Sequence, residues 1–244
     1  MQNAIARALS FLGREATRIV LPAWCVSCGA DLAWRERVAS CCAPCWTSLP
    51  KINGSKCSSC ALPLAGEQEV KCIKCQLDPL PLAWCEASCH YRGTAERVLH
   101  AFKFERHDFF DAPLAALLDE TLRGRNDLAF DAVIPVPMTR AGKRRRGYNQ
   151  AELLARQLAA MTGIVCETKL LRKRAGRATQ STLARAERRA NVQDAFAASP
   201  SVAGLSLLLV DDIITTGETL RACATALVRE RAERVCAIAV AKAE

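Results

Sequence analysis

Histidine is scarce: only His90, His100 and His107 occur in 244 residues. None falls inside a C-x2-C pair, so no metal ligand or general base is assigned among them, and surface or packing roles are expected. Aromatic residues make up 5% of the chain. Only Trp24, Trp34, Trp46, Trp84 and a few Phe and Tyr could serve as stacking platforms for bases, and several of these are expected in the core. Long apolar runs are missing as well. The opening stretch MQNAIARALSFLGREATRIVLPAWC carries Arg7, Arg14, Glu15 and Arg18, which excludes the uninterrupted apolar region of a secretory signal. No segment reads as a transmembrane span. A cytoplasmic protein is therefore expected, and in a reducing compartment dense cysteine usage favours metal over disulfide.

Within that opening stretch Ala4, Ile5, Ala8, Leu9, Leu12, Ala16, Ile19 and Val20 recur at three- and four-residue intervals. The spacing predicts an amphipathic helix over residues 1–21 that ends before Pro22. Packing on its own chain is the expected use of its apolar face; a membrane-surface role is the alternative.

Cysteine, by contrast, is plentiful and unevenly spread. Eleven of the 14 cysteines lie between Cys25 and Cys89, and Cys166, Cys223 and Cys236 are scattered singly among apolar residues. Four C-x2-C pairs, Cys25/Cys28, Cys42/Cys45, Cys57/Cys60 and Cys72/Cys75, are separated by 13, 11 and 11 residues. Two such pairs make one tetrahedral zinc site, because the two-residue gap lets a tight turn aim both sulfurs at one ion at about 2.3 Å. Four pairs imply two structural Zn2+ ions in a double zinc-ribbon module over residues 22–80. The near-equal gaps fit sequential or interleaved pairing; sequential pairing is the simpler expectation. Cys41 could substitute for its neighbour Cys42, while Cys85 and Cys89 flank an expected strand and fit no pair; all three are left outside the sites.

The formal charge is +9, and two zinc ions on eight thiolates would lower it to about +5. Its distribution matters more. Residues 140–189 hold 14 Lys/Arg against Glu152, Glu167 and Glu187, a local balance of +11, and a contiguous basic segment of that kind attracts phosphates.

From Trp84 onward strand-like and helix-like segments alternate. Strands are expected at Ala87–Tyr91, in DAVIPVP (131–137), at Leu205–Val210 and at Val235–Val240, and helices at Thr94–Phe104, Asp111–Leu122, Gln150–Met161 and Glu218–Arg229. That order predicts an α/β fold with a mostly parallel sheet and flanking helices over residues 84–244. Ligands bind beyond the carboxyl ends of such strands, where Asp211 and Asp212 of LLLVDDIITTGETL would lie. The small-residue loop that follows opens a helix whose free N–H groups suit a monophosphate. Two carboxylates just before it can accept hydrogen bonds from vicinal hydroxyls, and ribose 5-phosphate fits both ends.

VDDIITTGET closely resembles the phosphoribosyl pyrophosphate (PRPP) motif of type I phosphoribosyltransferases. Together with the cysteine pairs, IPVP followed by RRRGYNQAELLA, and TQSTLARAERRANVQDAF, it resembles the ComF/GntX group of competence-associated proteins over nearly the whole chain. The resemblance implies Asp211 and Asp212 at the ribose hydroxyls and Thr215, Thr216, Gly217, Glu218 and Thr219 around the 5′-phosphate. It further implies a pyrophosphate loop over Met138–Arg146, with Arg144 and Arg146 facing the diphosphate as catalytic cations beside the two aspartates. A hood loop over Arg172–Asn191 would contribute Thr179 and Gln180, with Arg188 and Asn191 also matching the pattern. Lys103 in HAFKFERH matches a family position of unassigned role.

Purine-salvage members of that superfamily carry an Asp where this chain has Thr215, which lowers a purine-base reading and leaves the acceptor open. The expectation is Mg2+-dependent phosphoribosyl transfer from PRPP in a protein that also binds single-stranded DNA and works with DNA-uptake or recombination proteins. The alternative is a non-catalytic sensor of PRPP or a nucleotide that holds nucleic acid.

Overall fold

The computed structural model describes residues 24–32, 37–64, 71–105, 107–174 and 195–243. The expected helix over 1–21 and the greater part of the Arg172–Asn191 stretch, with Thr179, Gln180, Arg188 and Asn191, lie outside the described residues.

The cysteine module is built twice from one local design. In each half the first C-x2-C pair forms a knuckle: the N–H of Cys25 donates to Ala30 and that of Gly29 back to Cys25, and Cys57 and Ala61 repeat this with Leu62 and Cys57. The residue after the second cysteine takes a left-handed backbone in both, Gly29 at φ 73 and Ala61 at φ 59. Glycine does so without steric cost, alanine does not. The second pair sits at the start of a short helix, α1 (Ala43–Thr47) after Cys42 and α2 (Ile73–Leu77) after Cys72. A two-residue ladder, β1 (Arg37–Val38) with β2 (Cys41–Cys42), completes the first half.

The second domain carries β3 (Cys85–His90), α3 (Thr94–Phe104), α4 (Asp111–Arg123), β4 (Ala132–Pro135), α5 (Arg140–Arg146), α6 (Gln150–Thr162), β5 (Leu171–Lys173), β6 (Phe196–Ala198), β7 (Ser206–Ile214), α7 (Glu218–Arg229) and β8 (Arg234–Lys242). Four parallel strands form the sheet in the order β3-β8-β7-β4. Residues 165–167 run alongside β4 through a bridge between Val133 and Cys166. β7 is central and buried on both faces, which explains its continuous LLLV run. Leu208 and Val210 join Leu99, Phe102 and Leu154 in the core beneath α3, α4 and α6. Leu207 and Leu209 join Leu220, Cys223 and Leu227 beneath α7.

The edge of β3 is covered by the cysteine module. The N–H of Ile52 donates to Ser88, that of His90 to Pro50 and that of Cys85 to Ser58. An open sheet edge is thereby paired rather than left as a template for other chains. Glu86, buried on this strand, pairs with Lys56, next to the ligand-bearing knuckle, and with Arg125 at 3.2 Å.

Three expectations change. β7 does not stop at Val210 but runs through both aspartates to Ile214, because their backbone keeps pairing with β8 as far as Ile214 opposite Lys242. β4 ends at Pro135 opposite Val210, so the aspartates do extend past the sheet on that side. The segment Met138–Arg146, expected as a turn, contains the helix α5, capped by Thr139 Oγ1 accepting from the N–H of Gly142 at 3.1 Å. The threonine N-cap and the helix formers Arg140, Ala141 and Lys143–Arg146 favour helix despite Gly142, whose N–H the cap engages. Lastly, Cys85 and Cys89 lie within β3 rather than beside it, fully buried.

Candidate functional site

Each half of the cysteine module gathers four sulfurs. Cys25, Cys28, Cys42 and Cys45 form one group and Cys57, Cys60, Cys72 and Cys75 the other, with all sulfurs of a group within 4.8 Å of one another. The Cys28–Cys42 and Cys60–Cys72 sulfur separations are both 3.8 Å. A tetrahedron with bonds of about 2.3 Å has edges of about 3.8 Å, so both groups fit zinc, and the pairing is sequential. Backbone N–H groups point at the inner sulfurs: Ser27 and Cys42 donate to Cys25 Sγ at 3.4 Å, and Cys72 to Cys57 Sγ at 3.3 Å. Burial opposes charge on Cys25, but donors from Cys42, Cys28 and Ser27 outweigh it and bring its thiol down to about 6. The same balance, with donors from Cys72, Ser59 and Cys60, brings Cys57 to about 7. Cys41 is different. Its sulfur lies 4.0 Å from Cys25 Sγ, yet it stands outside the four-sulfur group, and burial followed by the nearby Cys25 charge pushes its thiol far up. It is a core residue rather than a substitute ligand.

In the second domain β7 delivers the aspartate pair. Strand alternation sends successive side chains to opposite faces. Asp212 follows Leu208 and Val210 to the α3 side, where Oδ1 meets Lys103 Nζ at 3.0 Å. Asp211 follows Leu207 and Leu209 toward α7. Burial first, and the Asp212 charge second, raise its carboxyl to about 8, against the smaller pull of Lys103 and Lys173. Adjacent in sequence, the two carboxylates therefore differ in character: one is ion-paired, the other readily protonated.

Thr215 and Thr216 are exposed and Gly217 is buried, with φ 83 at the N-cap of α7. Only glycine adopts that backbone freely. The N–H groups of the first turn have no intrahelical acceptor, and with the threonine hydroxyls they offer donors to an oxyanion. The loop is held from two sides, by Lys242 Nζ on the carbonyl of Thr215 at 2.8 Å and by Lys74 Nζ on that of Thr216 at 3.2 Å.

The two arginines expected to act together are placed differently. Arg146 lays its guanidinium over the Phe104 ring, 5.2 Å from the centroid, whereas Arg144 is exposed and lines a shallow 350 Å³ hollow with Arg140, Lys143 and Gly147. The order of RRRGYNQ acquires a purpose in this geometry. Tyr148 Oη donates to the carbonyl of Phe102 at 2.6 Å, Gln150 Nε2 to that of Lys103 at 3.3 Å, and Asn149 Nδ2 to that of Val136 at 3.0 Å. This clamp binds the basic helix to the end of α3, so Lys103 and Arg146 are positioned by one element. The antiparallel pair β5/β6 brackets residues 174–195, and Thr179 and Gln180 fall between its strands, outside the described residues. Lys74, Lys242, Tyr148 and Asn149 escaped the sequence reading. Tyr148 and Asn149 carried a signal, as members of the RRRGYNQAELLA stretch; Lys74 and Lys242 carried none.

Two family models match the chain: a double zinc ribbon domain over residues 16–76 and a phosphoribosyl transferase domain over residues 132–244. Among curated proteins, a DNA utilization protein of Salmonella typhi is 32% identical over 185 residues, covering 74% of this chain and 81% of the relative. Competence protein F of Haemophilus influenzae is 35% identical over 138 residues, covering 54% and 60%. Competence protein ComFC of Streptococcus pneumoniae is 27% identical over 190 residues, covering 73% and 77%.

Proposed function

Because the chain belongs to the ComF-type family of competence and DNA-utilization proteins, which join a double zinc ribbon to a type I phosphoribosyltransferase domain, we propose that it binds PRPP with Mg2+ and single-stranded DNA, and transfers phosphoribosyl to an acceptor during use of incoming DNA. The observation that carries the reading is the ion-paired Asp212, with Asp211 beside it, leading directly into the Gly217 loop at the start of α7. Residues 215–219 would take the 5′-phosphate, and Asp211 and Asp212 the ribose hydroxyls. Arg146 and Arg144 would neutralise the diphosphate as it departs, with Lys103 holding the Asp212 side chain in place through their ion pair and Thr179 and Gln180 closing from the hood.

Mg2+ takes oxygen ligands, and the carboxylates that β7 brings to this edge suit it; bound, it would offset charge on the diphosphate. Carboxyl chemistry at Asp211 limits how that happens: while protonated it donates to a ligand oxygen, and once ionised it accepts from a hydroxyl. Departure of the diphosphate leaves an oxocarbenium-like ribose, which calls for charge stabilisation more than for a protein base.

We further propose that residues 1–21 form a helix, 22–80 the ribbon module and 84–244 the transferase domain, and that the protein is cytoplasmic and works with DNA-uptake or recombination proteins. Among the described residues no helix is long and apolar enough to cross a membrane. The competing reading is a sensor that binds PRPP or a nucleotide without turnover. The raised Asp211 carboxyl fits it as well, since binding alone asks for no particular protonation cycle. Isotope-labelled PRPP incubated with protein, Mg2+ and candidate acceptors, DNA included, separates the two. Diphosphate release that depends on an acceptor supports transfer, and saturable binding without release supports the sensor.

A further inference from the structure

The second zinc site and the small-residue loop share a wall. A cavity of about 150 Å³ is lined on one side by Cys60, Cys72 and Cys75 and on the other by Thr215 and Thr216. Lys74 Nζ donates to the carbonyl of Thr216 at 3.2 Å. Leu80 Cδ1 stands 3.5 Å from where a side chain on Gly217 would begin. Arg221, one turn into α7, donates to the carbonyls of Pro79 at 2.9 Å and Asp78 at 3.0 Å.

Lys74 occupies the gap of Cys72-Ile73-Lys74-Cys75, on a five-residue helix begun by one ligand and containing another. A helix that short has no stability of its own, so the ion on Cys72 and Cys75 orders the backbone that carries Lys74. No corresponding contact between the first ribbon and residues 215–217 occurs among the described residues. We propose that Lys74 is a positioning residue through which zinc at the Cys57/Cys60/Cys72/Cys75 site sets the phosphate loop, so that this zinc and PRPP bind cooperatively while the first zinc is indifferent. The proposal rests on the PRPP reading above. By engaging the Thr216 carbonyl at 3.2 Å, Lys74 fixes the orientation of that peptide, and with it the direction of the N–H group that follows. Coupling between sites is reciprocal: whatever factor zinc contributes to PRPP affinity, PRPP contributes to zinc affinity.

The test uses full-length protein loaded with zinc. Calorimetric PRPP affinity, with Mg2+ present, is measured for wild type, Lys74→Ala and Lys74→Arg after checking that each retains both zinc ions. Zinc affinity is then followed by competition with a zinc-selective chromophoric chelator, with and without PRPP, using Asp211→Asn/Asp212→Asn as the control for chelation by PRPP itself. Lys74→Ala should weaken PRPP by roughly fivefold, the low end of typical couplings, Lys74→Arg should recover it, and PRPP should shift the midpoint of one zinc ion by about the same factor. Wild type that binds PRPP, with unchanged affinity in Lys74→Ala and both zinc midpoints unmoved, overturns this inference and leaves the PRPP reading standing. Wild type that binds no PRPP overturns that reading instead.

Discussion

The ammonium of Lys103 lies 3.0 Å from Oδ1 of Asp212, with the two side chains only 18% and 10% exposed. Loss of either partner leaves a largely desolvated charge. Lys103→Met and Asp212→Asn should each destabilise the fold by about 1.5–3 kcal/mol, the range for hydrogen bonds to charged groups. Because they report one interaction, the double variant should cost less than the sum. Denaturant unfolding of the four proteins measures this, and strict additivity would show that the pair is not coupled. Lys103→Met should also weaken PRPP, since Asp212 would then face the ligand without the cation it pairs with.

Asp211 gives stability a pH dependence of definite sign. Burial and the Asp212 charge raise its carboxyl to about 8, whereas in the unfolded chain it titrates near 4. Between those values the folded state holds the extra proton. Its contribution is complete below about pH 4 and is lost as pH rises through about 8, with a slope of at most about 1.4 kcal/mol per pH unit. Asp211→Asn should flatten that part of the profile and make the protein relatively more stable at pH 8. An unchanged slope between pH 5 and 8 in the variant would assign the titration elsewhere.

Two zinc ions per chain should be found by elemental analysis of protein purified without added metal. Cys25→Ser and Cys57→Ser should each lower the content toward one, because each cysteine belongs to a single four-sulfur group, and Cys41→Ala should keep both. A Cys25→Ser/Cys42→Ser double variant should still hold one ion, since both belong to one group; loss of both ions there would point to interleaved ligands. Zinc near zero with disulfides present would remove the metal assignment altogether.

The elements that local pattern controls were legible in the sequence. Thr94–Phe104 is a helix with the expected ends, since its apolar positions recur at helical spacing and Val98, Leu99 and Phe102 are all buried. The four cysteine pairs were equally plain, because a C-x2-C knuckle is a local turn. Their pairing was not, since equal gaps give no preference; it is fixed by N–H donors reaching between pairs, from Cys42 to Cys25 and from Cys72 to Cys57. The end of β7 was misjudged because aspartate is a poor strand former, yet Asp211 and Asp212 are held by pairing with a neighbour distant in sequence. Lys74 and Lys242 were invisible for a similar reason. Each meets the 215–217 loop only after the chain has folded back, and nothing near either residue in sequence marks that meeting.

Single-stranded DNA should bind along the basic helix α5, where Arg140, Arg144 and Arg145 are exposed while Lys143 is engaged with Glu152 at 2.9 Å. Phosphate contacts release counterions, so affinity should fall with salt at a log–log slope of about −0.7 per neutralised phosphate. Replacing Arg140, Arg144 and Arg145 together with Gln should make that slope shallower by about 2 and weaken binding alike for all sequences. Arg146 is spared in this design because it stacks on Phe104 and its loss would also disturb packing. The same cations would draw the diphosphate of PRPP, so the two ligands should compete if both use Arg144. Titration of labelled oligonucleotide at several salt concentrations, with and without PRPP and Mg2+, decides among the possibilities. Absence of binding even at low salt removes DNA from the proposal. Binding that survives the triple substitution, and ignores PRPP, moves the DNA site away from α5.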